Sequence, residues 1–486
     1  MSRMNKLLVK YRSIPVQVKA SLWFLICAFL QKGISFITTP IFTRLLSTSE
    51  YGQYNVFNSW MNIIIVIVTL NLFSGVYTRG LVKFEKDRAI FTSALQGLTI
   101  TLCFFWLIIY ILFRTFWNNL FGLTTVQMLL MFILMWTTAV FSFWSTSQRV
   151  DFRYKKLVIV TLIVSLAKPF LGIVFVCASD DKVTARILGL ALVQLVGYGV
   201  FFLLQMKEGR VFFKAFYWKH ALSFNVPLIP HYLSTSVLSG ADQIMIKEMV
   251  GQSQAGIYSL AYSLSMILTM LNSSLMQTIE PWMYKKINEG KVGDISKVAY
   301  PAFGVIAFAN ILLIAFAPEA VALFAPKEYY DAIYVIPPVA MSVFFMFSYT
   351  FFAVFEFYYK KTTLVSLATT GGAILNIILN FLFIKIFGYY AAGYTTLICY
   401  IAYAVFHFIF MKKICDDKLN NIYPYNFKIY FGIAVGFIIL GFAFLFLYKY
   451  LFLRYSLIVV ICVGVIYKRK FIITSVRNII MAKKVN

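Results

Sequence analysis

Fourteen times along this chain a stretch of roughly twenty residues passes with few or no charges, and about twenty apolar residues in a helix are what it takes to cross a bilayer. Hydrocarbon tolerates only segments whose backbone groups are satisfied internally, so these runs are read as helices. They fall at 20–43, 52–78, 89–113, 124–148, 157–179, 187–206, 221–246, 254–280, 298–318, 332–355, 362–384, 389–411, 429–448 and 451–467. The last is short and carries Arg454 near its start, so it either spans or lies in the interface. With 61% hydrophobic residues, 13% charged residues and a mean hydropathy of +0.81, the chain lies outside the range of soluble domains.

The charges between the runs give a direction. Of the 44 Lys and Arg residues, 33 fall in alternate connections and at the two ends, 9 in the other connections, and Lys32 and Lys168 within runs. Cytoplasmic connections retain Lys and Arg during insertion, so both termini of a multi-pass membrane protein are expected in the cytoplasm. The net charge of +26 is then mostly topology, and nucleic acid is not an expected partner. No cleavable signal is expected, because the first run is long and lacks a small-residue cleavage site. Six dispersed cysteines and three histidines show no disulfide or metal spacing, so neither a metal nor a cofactor is expected.

The connections exclude several activities. None is long enough to fold as a domain, and no Walker loop, HExxH or GxSxG occurs. A polysaccharide polymerase would need a sizeable outer loop bearing acidic and arginine residues, which is missing. A transporter, with no catalytic residue, is the expected class.

An internal repeat organises the runs. DFRYKKLV at 151–158 recurs as EFYYKKTT at 356–363, and SEYGQYNVF at 49–57 is echoed by SQAGIYSLAY at 253–262, with offsets of 205 and 204. Six runs separate the copies, so two parallel six-helix lobes with the same orientation are expected. The division reads as an N-terminal lobe (1–206), a linker (207–220), a C-terminal lobe (221–411) and a hairpin with a tail (412–486).

Charges inside the runs are the sharpest local signals, because an intramembrane charge needs a partner, water or a ligand. Lys32 and Lys168 lie near mid-span with no carboxylate within a turn or two. Each reads either as a cavity cation for an anionic group or as half of a structural ion pair. Asp242 reads either as an ion pair with Lys32 or Arg44 or as a proton or cation site. Arg79, Arg149 and Arg153 stand at helix ends, where guanidinium groups either suit phosphate or serve as ordinary positive-inside anchors. Glu280 and Glu356 are expected to cap helices or pair with neighbouring lysines.

TPIFTRLLSTSEYGQYNVF (39–57), ADQIMIKEMVGQSQAGIYSLAYSL (241–264) and QRVDFRYKK (148–156) resemble the polysaccharide flippase (Wzx-type) family. That family belongs to the multidrug/oligosaccharidyl-lipid/polysaccharide exporter superfamily. Arg44, Glu50, Tyr51 and Gly52 match its first signature, and Asp242, Gly256, Tyr258 and Tyr262 the second. The resemblance implies an all-α membrane fold of two lobes in a V, like multidrug and toxin extruders; the last two runs fall outside the repeat, read as an appended hairpin, and depart from the twelve helices of many members. It further implies transfer of an undecaprenyl-diphosphate-linked oligosaccharide to the outer leaflet, for O-antigen, lipopolysaccharide or capsule. Lys32, Lys168, Arg44, Arg79, Arg149 and Arg153 are then candidates for holding the diphosphate. Asp242 is the candidate for proton or sodium coupling, and the expected partners are membrane lipid, a polymerase and glycosyltransferases. A cation-coupled drug antiporter of the same superfamily is the alternative, and it should prefer acidic cavity residues.

Overall fold

The computed structural model describes residues 15–467, and every element among them is helical. The basic clusters at 1–12 and 468–484, which bear on the placement of both ends, lie outside the described residues. In order the helices are α1 (Val16–Leu45), α2 (Thr48–Thr69), α3 (Gly75–Lys83), α4 (Arg88–Leu112), α5 (Arg114–Phe121), α6 (Thr125–Val150), α7 (Tyr154–Cys177), α8 (Lys182–Gly209), α9 (Ala215–Asn225) and α10 (Ile229–Met249). They continue as α11 (Gln252–Met266), α12 (Thr269–Asn288), α13 (Ser296–Ala315), α14 (Ala317–Phe324), α15 (Ile336–Tyr358), α16 (Thr362–Phe387), α17 (Tyr390–Lys418), α18 (Phe427–Leu447) and α19 (Leu451–Tyr467). All fourteen runs are helical. Among the described residues eleven helical stretches, α11 with α12 counting as one, are long and apolar enough to cross a membrane, and α19 is a shorter apolar helix.

The second and seventh runs are each interrupted. The second breaks between α2 and α3, where Leu70 (φ 48°) and Asn71 (φ 51°) take the left-handed conformation. Asn tolerates that region better than most residues. The seventh breaks at the short turn Val226–Leu228, which contains Pro227. The two breaks are joined, since Nδ2 of the buried Asn225 donates to the carbonyls of Leu70 (2.8 Å) and Asn71 (2.9 Å). Carbonyls freed by the first break are thus satisfied by the residue at the second, as an apolar surround requires.

The chain divides into two compact units, one of residues up to Leu46 with Phe57–Ser236, the other of Ser47–Val56 with the residues from Val237 on. The boundary falls inside α10, whereas the sequence division uses 207–220 as linker, and α18 and α19 belong to the second unit.

In the first unit, polar rungs tie α8 to α4 and α6. Gln96 donates to Gln205 (2.6 Å), Gln127 to Thr184 (2.9 Å), and Thr137 and Thr138 to Gln194 (3.1 and 3.2 Å). Such bonds specify helix pairing where lipid removes the hydrophobic drive.

In the second unit α15 is almost wholly buried, with Phe344, Phe347, Phe351 and Phe352 arranged around Phe303 of α13. Arg454, 1% exposed, pairs with Glu319 of α14, which also accepts from the Tyr455 hydroxyl at 2.8 Å. Tyr448 donates to the Ile314 carbonyl (2.7 Å). Those bonds explain how an arginine sits in the fourteenth run.

The repeat survives in geometry with a different register. After α6 and after α15 the chain turns alike: Phe152 (φ 55°) and Lys360 (φ 58°) are left-handed, and Arg153 N bonds Gln148 O as Lys361 N bonds Glu356 O. These equivalents are 208 residues apart, so the 151–158 and 356–363 match at 205 is slipped by about one turn. The offset of 204 holds for the other pair, where the two signatures meet within the second unit. A Cβ on Gly52 would overlap the Gln252 carbonyl, and one on Gly256 the Thr48 carbonyl. Thr48 and Ser253 hydroxyls bond at 2.5 Å, and Ser49 donates to Gln252 at 3.0 Å. The meeting is reciprocal, as in an isologous interface.

Candidate functional site

Two polar sites of opposite sign lie inside the spans, one in each unit. In the first unit α1 and α7 run side by side in the same direction. Trp23 stacks on Tyr154 (centroids 6.4 Å), Gln31 donates to Ser165 (3.2 Å), and Phe42 occupies the space next to Gly172. Lys32 follows Gln31, and Lys168 lies three residues beyond Ser165. The two ammonium-bearing positions therefore share nearly the same depth, about half a turn apart.

Cations follow α1 along its length. The Arg149 guanidinium lies 5.9 Å from the centre of the Phe24 ring, the Lys168 amine 5.1 Å from that of Tyr198, and the Arg186 guanidinium 3.7 Å from that of Phe42. Phe24 and Phe42 are 18 residues apart, about 27 Å of helix, which nearly matches the hydrocarbon thickness. Rings beneath these cations offset part of their desolvation by cation–π attraction. Tyr198 is itself braced, stacked on Phe141 at 3.9 Å beside a Trp144–Phe201 stack at 3.9 Å. Among the described residues neither Lys32 nor Lys168 forms an ion pair. Lys32 is exposed and Lys168 partly buried.

The other expected cations divide. Arg44 is exposed and donates to the Pro40 carbonyl of its own helix (2.8 Å). Arg79 lies over Phe224 (5.0 Å), the residue before Asn225 at the joined breaks. Arg153 is largely exposed and 3.7 Å from Asp151, whose single carboxylate is shared with Arg88 at 3.0 Å. Arg186 was not singled out by the sequence, because its place near the start of a run reads as ordinary loop charge; only its stacking on Phe42 brings it into the row.

In the second unit Asp242 of α10 is 3% exposed. Its Oδ2 accepts from Tyr258 and Thr396 (2.6 Å each), and its Oδ1 from Asn380 (2.6 Å). Asn380 also donates to Asn376 (3.2 Å) and accepts from Thr395. All these partners are neutral and come from α11, α16 and α17 of the same unit. Three donors stabilise an ionised carboxylate without a cation. Surrounding oxygens of Asn376, Asn380, Thr395, Thr396 and Tyr258 also suit a proton or a small cation. Among the described residues there is no cluster of three His, Cys, Asp or Glu fit for a metal.

Glu356 departs from expectation. It is fully buried and bonds His407 Nδ1 of α17 (2.7 Å), with Tyr349 stacked on the imidazole at 5.3 Å. The sequence placed it at a wet helix end near lysines. In the structure the helix continues past it by two residues and packs tightly on α17. Glu280 accepts from Tyr284, one turn on (2.9 Å).

Residues 18–286 match the family described as Polysaccharide biosynthesis protein. Lsg locus putative protein 1 of Haemophilus influenzae is 23% identical over 368 residues, which covers 72% of this chain and 86% of that protein. Among solved structures, lipid II flippase MurJ in its inward closed conformation matches with a TM-score of 0.68 at 14% identity, over 93% of this chain and 99% of MurJ. An inward-facing multidrug resistance MATE family transporter of the MOP superfamily matches with a TM-score of 0.59 at 13% identity, over 79% of this chain and 95% of that one. At such identities the likeness establishes the fold. With the family match covering more than half of its length, this multi-pass membrane chain belongs to the polysaccharide biosynthesis protein family and is built on the fold shared by MurJ and MATE transporters.

Proposed function

We propose that the protein is a flippase rather than an enzyme, and that it carries undecaprenyl-diphosphate-linked oligosaccharide from the inner to the outer leaflet of the bacterial cytoplasmic membrane by alternating access. The observation that carries this reading is the row of cations along α1, with Lys32 and Lys168 at mid-span outside any ion pair among the described residues. Two ammonium groups within spans and without a carboxylate call for water or an anion, and two of them at one depth favour an anion. A lipid diphosphate supplies one: its charge follows the row while its tail stays in the bilayer. Family membership and the fold shared with a lipid II flippase support the same reading.

The division into two lobes joined near 207–220, with both termini cytoplasmic, belongs to this proposal. So does Asp242 as the site of coupling: protonation or sodium binding there exchanges three donors for a different arrangement of α10, α16 and α17. A drug antiporter of the same fold fits less well, because a cationic drug would meet a cationic row. Deleting the gene and analysing surface glycan and lipid-linked repeat units tests the function. Loss of glycan with build-up of the lipid-linked unit in the inner leaflet is expected. Unchanged glycan with altered drug sensitivity would reverse the choice.

A further inference from the structure

The segment 207–220 is held firmly on one side and bare on the other. On the held side Tyr217 (2% exposed) and the adjoining Ala221 (0%) enter the core formed by Leu72, Val76, Tyr77, Leu81 and Phe91. Tyr217 donates to Asp87 (3.2 Å) and the Trp218 indole to the Ala94 carbonyl (2.8 Å). Gly97 lies so close beneath the Phe212 carbonyl that a Cβ there would collide with it. The segment is therefore bolted to α3 and α4 along its length.

On the bare side Phe212, Phe213 and Phe216 are 48%, 61% and 61% exposed. Lys207, Arg210, Lys214 and Lys219 are exposed among them, and among the described residues none forms an ion pair. Lys83 and Lys86 flank Phe84, whose ring touches Phe216 and His220. Burial, with Lys83 nearby, holds the His220 imidazole below its usual value, so it adds no charge at neutral pH. Three large rings interleaved with cations, on one face of a segment at the ends of spans, match neither a solvated loop nor a protein core. Water disfavours the rings, and a protein core disfavours the unpaired ammonium groups. A bilayer surface of negative charge accepts both.

We propose that this face docks on the bilayer at that end of the spans. Arg210, Lys214 and Lys219 bind anionic phospholipid headgroups, and Phe212, Phe213 and Phe216 seat at the acyl boundary. The proposal does not depend on what the protein transports. Amide hydrogen exchange of the full chain in nanodiscs of phosphatidylcholine alone, or containing phosphatidylglycerol, tests it. Exchange across 207–220 should slow by about tenfold or more when phosphatidylglycerol is present. R210Q/K214Q/K219Q should abolish that difference while α6, in the same unit, exchanges as before, which shows the fold intact. F212S/F213S/F216S should raise exchange in both lipids. Equal exchange of the wild type in the two lipids, or a difference retained in the charge variant, overturns the proposal. Exchange as fast in either nanodisc as in detergent also overturns it, and points to a protein partner for this face.

Discussion

The two units bury polar groups in opposite ways. In the first, cations stand along α1 over aromatic rings, and among the described residues no carboxylate pairs with Lys32 or Lys168. In the second, the carboxylates are answered internally: Asp242 by three neutral donors, Glu356 by His407, Glu319 by Arg454. Both are apolar helical bundles of similar size, so general stability does not require the asymmetry. A charge with its partners built in can do its work alone, whereas a charge without one is shaped for something that comes and goes. The first unit is thus the place to look for an anionic cargo, the second for an ion or proton.

The comparison is broken most directly at the unpaired cations. K32Q/K168Q should lower transfer of a lipid-linked oligosaccharide in proteoliposomes by about 100-fold or more, taking roughly 1.5–3 kcal/mol for each lost charged hydrogen bond. The arginine pair K32R/K168R should retain most activity; equal loss in both variants would mean that packing, not charge, matters there.

Next comes D242N, which keeps size but loses the charge. It should abolish the dependence of transfer on a proton or sodium gradient while leaving gradient-free substrate binding within about threefold, since the row of cations belongs to the other unit and a threefold change is under 1 kcal/mol. A D242N protein that fails to bind cargo would erase the distinction between the units.

A smaller effect is expected from N225A. Removing the amide takes the side-chain donor from the Leu70 carbonyl and leaves the Asn71 carbonyl with the Ser74 N–H (3.0 Å), a cost of about 1–3 kcal/mol, read as a lower unfolding midpoint in detergent. N225D should be worse than N225A, because it adds an acceptor facing two acceptors.

The smallest change tests the pairing in the second unit itself. H407Q retains a donor within reach of Glu356, so its unfolding midpoint should fall by less than that of H407A.

Much of the fold was legible because apolar length is a physical necessity in a bilayer: all fourteen runs are helices. The breaks were not. Asn71 and Gly75 in LNLFSG, and Pro227 in VPL, are ordinary turn signals, but the apolar residues around them keep the run's length intact and hide the interruption. The repeat was visible where glycines meet and misleading where it rested on a shared Tyr-Lys-Lys. At the sites, the residue types could be picked out, since charges among apolar residues are conspicuous. Their partners could not. Asn380 and Thr396 lie 138 and 154 residues from Asp242, and His407 lies 51 from Glu356. Nothing local to Glu356 distinguishes a capping carboxylate from one sealed against α17.

The reciprocal fit of Gly52 and Gly256 has a consequence in time. Its halves are made 204 residues apart, so at roughly 5–20 residues per second the entry of α2 waits about 10–40 s for the surface it fits. The glutamine and threonine rungs of α4, α6 and α8 are complete by residue 205, well before Gly256 is synthesised. The first unit can therefore set while the start of α2 is still unmatched, and the late arrival of α11 becomes a defined step at which a nascent chain is either completed or handed to quality control.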